Sequence, residues 1–442
     1  MSKPNIKQHL RRILFALAMV GGHSVLSAAT LCVNPGGTNG CYDSIVTAVA
    51  AAAANDTIDV AAGTYQEYVV IDKPLSIIGE NRQTTIIEAM GLPNGFNIDG
   101  LKNPGLANVT ITGFTVQNAN FEGIVATNSS FIRIWGNNVV GNDRNLDIGP
   151  PPTCPGVPSW ETAEAFDCGE AIHLSGVDHA TVASNYVATN AGGILLSDDT
   201  GATHDNLVSK NTVQDNPYDC GITLASHLPY QGDTPFGLAH NTIYANVSQR
   251  NGLAVGDGAG VGIFDSVPGT SNNGNVVVAN TLKNNGLPGV AMHGHTLGQS
   301  MSDNLIVGNF LFGNAADSED AFTPGPTGVN VFSVSPATGT MVSQNTINRE
   351  EVAVAVNTPT EVDVNLNSFL TYGLNLGMDN IGTGLVNATE NWWGCPDGPG
   401  TPGCAGISAV DPSSVLYIPW LTSPLGSTPP TPRPRPIPPP RP

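Results

Sequence analysis

The chain has 442 residues, with 36 Asp and Glu against 16 Lys and Arg and a formal net charge of −20. Four of the 16 basic residues fall before residue 30 and three after residue 430, so the body between them is more acidic still. Such a surface excludes nucleic acid and anionic membranes as partners, and it disfavours a long polyanionic substrate unless a cation bridges.

The chain opens on a leader. Lys3, Lys7, Arg11 and Arg12 precede the apolar run "ILFALAMV". Ser27-Ala28-Ala29 supplies the small residues of a cleavage site. Residues 1–29 therefore read as a secretory signal, too short to span a membrane. No later segment approaches the roughly 18 uninterrupted apolar residues of a span. A secreted, periplasmic or cell-surface chain is expected, and a monomer. The seven cysteines suit an oxidising compartment. Three close pairs offer themselves as disulfides: Cys32 with Cys41, Cys154 with Cys168, and Cys395 with Cys404. Cys220 is left over and reads as a buried thiol.

Residues 30–56 form an N-terminal cap. Its "YDSIVTAVAAAAA" segment from Tyr42 is Ala-rich and predicts a helix lying across the first rung of a repeat. That repeat runs from residue 57 to 421. Asn recurs in it at five-residue spacing: Asn206, Asn211 and Asn216; Asn241, Asn246 and Asn251; Asn275, Asn280 and Asn285; Asn304, Asn309 and Asn314. Apolar residues alternate between them, as in strands with one buried face. Asn suits the tight corners because it tolerates left-handed backbone. After each Asn-rich stretch comes a Gly-led strand: Gly193-Ile-Leu-Leu196, Gly221-Ile-Thr-Leu224, Gly260-Val-Gly-Ile263, Gly289-Val-Ala-Met292 and Gly328-Val-Asn-Val331. The pattern predicts an all-β solenoid of stacked rungs. Residues 422–442 are a Pro-rich tail, expected to be a disordered spacer.

The opening rungs, "AAGTYQEYVVIDKPLSIIGENRQTTII" over residues 61–87, resemble those of secreted right-handed parallel β-helix proteins of the pectin-lyase-like superfamily. The repeated N-x-[VIL]-x-x-N units and the terminal Asn391-Trp-Trp-Gly394 are similar to the same superfamily. The resemblance covers nearly all of the chain beyond the leader. It implies a right-handed parallel β-helix and leaves the activity open, because this fold serves lyases, hydrolases, epimerases and non-catalytic surface proteins.

Laying the Gly-led strands over one another sorts their side chains. The first and third positions after Gly point inward, as Ile222 and Leu224 do. The even positions point outward. One outer edge then collects Asp199, His227, His293 and His295 as candidate catalytic groups. His173, Asp198, Asp265, Tyr218, Tyr230 and Phe264 are candidate substrate contacts. Asp199 and His227 fall on adjacent rungs, and His227 and His295 two rungs apart. The insertions at residues 147–168, 228–239 and 315–327 border this face and are expected to wall a groove. A His or carboxylate there could move the protons that lyases, epimerases or hydrolases require. Asp198-Asp199 and His293-Gly-His295 resemble polygalacturonase signatures, but the spacing is several rungs longer and a downstream Arg-x-Lys is absent. Asp317-Ser-Glu-Asp320 reads as a solvated acidic loop. No metal ligands are assigned, because groups two rungs apart cannot share one ion without His293 bridging, and the sequence identifies no cofactor. The sequence thus predicts a secreted β-helix that acts on or binds polysaccharide. The competing reading is a non-catalytic adhesion or glycan-binding module.

Overall fold

The computed structural model describes residues 28–425 apart from 163–165, 167, 319, 321, 322, 324 and 371–374. The expected secretory signal, as far as residue 27, and the Pro-rich tail from residue 426 lie outside the described residues. Three long sheets dominate: sheet A with 14 strands, sheet B with 11 and sheet C with 12, beside a small sheet of three. One rung contributes Leu207–Ser209 to sheet A, Thr212–Gln214 to sheet B and Ile222–Ser226 to sheet C. Each pairs parallel with its counterparts one rung away. Ile222–Ser226, for example, lies between Ile194–Ser197 and Val261–Asp265. The chain is a right-handed parallel β-helix.

The alternation in sequence becomes the inside and outside of the coil. Val208, Val213, Ile222 and Leu224 of that rung are fully buried. Each such side chain contributes roughly 1.5–3 kcal/mol by leaving water. Repeated rung by rung, the result is one continuous apolar column from Val33 to Val415. Near the far end Trp393 is fully buried, its ring edge-on to Phe369 at 5.1 Å.

The asparagines do something other than turn the corners. The left-handed residue is the one before each Asn: Asp205, Lys210 and Asp215 in one rung, and His240, Ala245 and Arg250 in the next. The Asn itself turns inward and is buried. Its side chain stacks on the Asn of the neighbouring rung. Asn211 N and Nδ2 both donate to Asn246 Oδ1, at 2.9 and 3.0 Å. Asn246 N and Nδ2 donate in turn to Asn280 Oδ1, at 2.8 and 3.1 Å. The Nδ2 of Asn246 also satisfies the carbonyl of Val208, at 2.9 Å. Each Asn thus satisfies backbone groups that a corner would otherwise strand in the interior.

The N-terminal helix is shorter than its Ala-rich segment, running Ile45–Ala51. Ser44 starts it by accepting from Thr47 N, and the Glu67 carboxylate accepts from Ile45 N and Val46 N. Asn55 in left-handed backbone follows its end. Ile45, Ala48 and Val49 are buried against the first rungs. The three expected disulfides are present, and Cys220 is free and buried.

Candidate functional site

The outward positions of sheet C carry the candidate residues in register. His173 pairs with Leu195, which pairs with Thr223, then Gly262, Ala291 and Asn330. Two residues further along each strand, Ser175, Ser197, Ala225, Phe264, His293 and Phe332 align. The insertions do not all act as walls. The described part of this insertion, residues 147–162, stapled by Cys154–Cys168, lies down on the face. Trp160 packs 5.7 Å from the His173 ring, and Glu161 sits beside it. Thr162 donates from both N and Oγ1 to Asp199 Oδ1. His173, Asp198 and Asp199 are therefore sealed from solvent rather than lining a groove.

Asp198 serves the backbone of the next rung. Its carboxylate accepts from His227 N at 2.7 Å, Gly237 N at 2.6 Å and Ser226 Oγ at 2.9 Å. Tyr230 is exposed on its loop, and its backbone N donates to the Asp199 carbonyl at 2.6 Å.

A cavity of about 250 Å³ opens over the following rungs. His227, Asp265, Phe264, Tyr218, His293 and His295 all line it, together with the Cys220 edge and Asp219 and Asp257. Tyr230 does not reach it, and no described Lys or Arg is among its lining residues. His227 Nδ1 lies 3.2 Å from Asp199 Oδ1. Burial alone would raise the Asp199 carboxyl. The hydrogen bond and charge of His227, foremost, together with the Ser197 hydroxyl overcome that, and hold it well below the usual carboxylate range. Asp265 is the opposite case. Burial first, and then the charge of Asp198, push it up to about 8. The cavity thus holds, on adjacent rungs of one sheet, a histidine oriented by an ionised carboxylate and a carboxyl that keeps its proton at neutral pH.

His293 and His295 sit at the other end, rings 5.1 Å apart, with His295 4.8 Å from Phe332. His295 is exposed, while His293 is buried with Nε2 2.6 Å from Asp317 Oδ2. Asn330 Nδ2 donates to the same oxygen at 2.8 Å. The acidic loop expected to be solvated is therefore folded inward, with Asp317 and Asp320 both buried. Burial of Asp317 is more than offset by His293, so its carboxyl is held below the ordinary value. The Cys220 thiol is pushed well up by burial and by Asp219, which makes it inert as a nucleophile.

Among the described residues, two groups place three potential metal ligands close together. His179, His204 and Asp205 sit at an outer corner, and Glu122, Glu161 and His173 lie beneath the 147–168 loop. The sequence points to neither, because Glu122 and Glu161 lie outside the Gly-led strands and the corner histidines belong to a different edge. At the outer corner, His179 Nδ1 is held by Asp178 at 2.6 Å and His204 Nδ1 by Asp205 at 2.9 Å.

Residues 161–327 match the family described as periplasmic copper-binding protein (NosD). No protein of curated function matches the chain in sequence. Among solved structures, DFA-IIIase from Arthrobacter chlorophenolicus A6 without its lid is 14% identical, with a TM-score of 0.48, covering 82% of this chain and 87% of its own. Alginate lyase from Paenibacillus sp. str. FPU-7 is 12% identical, with a TM-score of 0.39, covering 88% of this chain and 97% of its own. ORF18 of Geobacillus virus E2 is 11% identical, with a TM-score of 0.44 over 87% of this chain, and the chain covers 65% of that protein's length. No helix among the described residues is long and apolar enough to cross a membrane. The disulfides and the family match put the protein outside the cytoplasm, as an exported right-handed parallel β-helix whose rungs over residues 161–327 are similar to the NosD family.

Proposed function

We propose that the cavity over sheet C binds a neutral glycan and cleaves it by acid–base chemistry. One observation carries this reading: His227, held from behind by Asp199, and the proton-holding Asp265 line a single cavity. Asp265 is the acid that protonates a glycosidic oxygen. His227, oriented through Nδ1 by Asp199, is the base that takes a proton from the attacking water at Nε2. Phe264 and Tyr218 offer faces for a sugar ring. A lining that holds Asp219 and Asp257 but no described Lys or Arg favours an uncharged sugar over a uronate, whose carboxylate would need a cation. The test is a panel of neutral and acidic polysaccharides, scored for both reducing ends and unsaturated-product absorbance. Reducing ends from a neutral glycan, lost in His227→Ala and in Asp265→Asn, are the expected result. Unsaturated products from a uronate would replace hydrolysis by elimination. Binding without turnover would leave a glycan-binding module.

A second reading rests on the family match. Copper(II) takes nitrogen and oxygen ligands, and the outer corner offers His179, His204 and Asp205 within the matched residues. Each histidine there already has its Nδ1 held by a carboxylate, the arrangement that orients a ligand through its other nitrogen. Electron paramagnetic resonance of added Cu²⁺ tests this reading. Nitrogen coupling should vanish in a His179→Ala, His204→Ala double variant.

A further inference from the structure

The Glu122, Glu161 and His173 group does not line the cavity, and none of the three is the acid or the base of the proposed cleavage. Its side chains are buried, Glu122 and His173 completely. Two of them come from sheet C and its corner, and the third comes from the loop that covers it. Their ligand atoms lie within 4.8 Å of one another. His173 Nδ1 is 3.5 Å from Glu122 Oε1 and 3.5 Å from Glu161 Oε1. Neither oxygen of Glu122 makes a hydrogen bond of normal geometry, nor does His173 Nδ1.

The protons around His173 can be assigned. Ser197 Oγ donates to Asp199 Oδ2, so its one hydrogen is committed. The Ser197 oxygen therefore accepts from His173 Nε2, 2.8 Å away. That leaves the ring with its proton on Nε2 and its Nδ1 aimed between two carboxylates. Something positive must lie there. One candidate is a second proton on the ring. Burial opposes it, but with nothing else between them Glu122 and Glu161 would hold the imidazolium up to about 10. The contacts argue against that proton as the whole answer. A charge-assisted N–H to carboxylate bond closes to about 2.7–2.9 Å, and 3.5 Å is too long. An imidazolium between two carboxylates also leaves one net negative charge in a fully buried site, which is costly.

A divalent cation satisfies both counts. Two carboxylates and a neutral imidazole around it sum to zero charge. Ligands about 2.1 Å from a tetrahedral ion stand about 3.4 Å apart, close to the spacing here. Ser197 and Asp199 then supply the outer hydrogen bonds that orient a metal-bound histidine. Gly169, with φ of +92°, is part of the same packing: a Cβ there would lie 2.4 Å from Oε1 of both Glu122 and Glu161. We propose that Glu122, Glu161 and His173 bind a first-row divalent cation of the Zn²⁺ or Mn²⁺ class. The ion clamps the 147–168 loop onto sheet C. Two oxygens and one nitrogen suit these ions and do not suit Cu⁺, which prefers sulfur. By fixing Glu161 the ion fixes its neighbour Thr162, and with it the donors on Asp199.

The test uses the full exported chain, unfolded, stripped with a chelator, and refolded with Zn²⁺, with Mn²⁺, or with neither. Bound metal is counted by mass spectrometry after gel filtration, and Tm is recorded. About one ion per chain and a Tm higher by several degrees than in the metal-free arm are expected. The Glu122→Gln, Glu161→Gln double variant should lose the ion, and the His179→Ala, His204→Ala variant should keep it. The proposal is overturned by a wild-type chain that refolds without metal and whose Tm neither ion raises. It is equally overturned by stoichiometric binding that survives both Gln substitutions. If the double Gln variant does not fold, the wild-type arms decide alone. None of these readouts depends on glycan turnover, so failure here leaves the cleavage reading standing, and the reverse holds too.

Discussion

His227 Nδ1 and Asp199 Oδ1 meet at 3.2 Å across adjacent rungs, although the two residues are 28 apart in sequence. The contact makes His227 the directed group of the cavity, because a ring held at one nitrogen presents the other at a fixed angle. Asp199→Asn tests that role. With its oxygen in the Oδ1 place the amide still accepts from Thr162, so the loop stays down. It no longer supplies a charge to the ring, and its NH₂ falls in the Oδ2 place, against Ser197 Oγ. Reducing-end release should fall by about 10²-fold or more while the far-ultraviolet circular dichroism is unchanged. Activity within a few-fold of wild type would remove His227 from the base role.

Asp265 predicts a pH dependence of both rate and stability. Its carboxyl stays protonated up to about pH 8, against an ordinary value of 3.8. As the acid, it should make turnover decline above about pH 8. The stability effect has a definite sign. Between about pH 4 and pH 8 the folded chain holds a proton that the unfolded chain has released, so stability falls as pH rises through that window. The cost is complete above about pH 8 and absent below about pH 4. Asp265→Asn has nothing to ionise. In urea unfolding, its stability relative to wild type should improve by up to a few kcal/mol on going from about pH 5 to about pH 9, while its activity is lost at both. A constant difference across that range would contradict the raised carboxyl.

Much of this site could be read from the repeat. Aligning the Gly-led strands puts Val290 and Met292 inside and His293 and His295 outside, as found, and sets Asp199 beside His227. A two-residue alternation fixes the direction of every side chain in a strand. The repeat does not set the path of an insertion. Nothing in the period of the rungs says that residues 147–162 lie flat, so His173 and Asp199 read as exposed when they are sealed. The same gap hides the Glu122, Glu161 and His173 group, whose members come from two rungs and a loop. Asp317 reads as a polar loop residue for the same reason, since its partner, His293, is 24 residues away. The asparagines are legible in spacing and illegible in role. Five-residue periodicity looks the same whether Asn takes the left-handed position or the buried one next to it.

That buried role sets the expected cost of breaking a ladder. The Asn246 side chain accepts two hydrogen bonds from Asn211 and gives two, to Asn280 and to the Val208 carbonyl. Asn246→Ala removes these four bonds in a dry interior; Asn280 Oδ1 keeps the backbone N of residue 246 and Asn211 Nδ2 keeps the Val182 carbonyl, so Asn211 N and the Val208 carbonyl lose most. Each stranded group costs about 1–3 kcal/mol, partly relieved by local shifts, so a loss of about 2–4 kcal/mol is expected. Lys210→Ala, at the left-handed neighbour, should cost much less, since it removes only an exposed side chain. Chemical denaturation of both variants decides whether the ladder or the corner conformation carries the stability. Equal losses would favour the corner.

One ladder ends in a different residue, and that makes a pH test of ladder physics. Asn142, Asn190, Asn216, Asn251, Asn285 and Asn314 run in series, and Glu350 stands next, where another Asn would continue them. Asn314 donates from N and Nδ2 to Glu350 Oε1, at 3.2 and 3.0 Å. Burial still wins over those bonds, and the carboxyl is pushed up to about 7 from an ordinary 4.5. Between those two values the folded chain keeps a proton that the unfolded chain loses, so stability drops as pH rises from about 4.5 to 7. Glu350→Gln keeps an acceptor oxygen for Asn314 and cannot ionise. It should match wild type near about pH 4 and exceed it by about 3 kcal/mol at about pH 8, following roughly 1.36 kcal/mol for each pH unit of the window. A Gln variant that is weaker than wild type at about pH 8 would mean that the ionised carboxylate is a better acceptor for Asn314 than its burial allows.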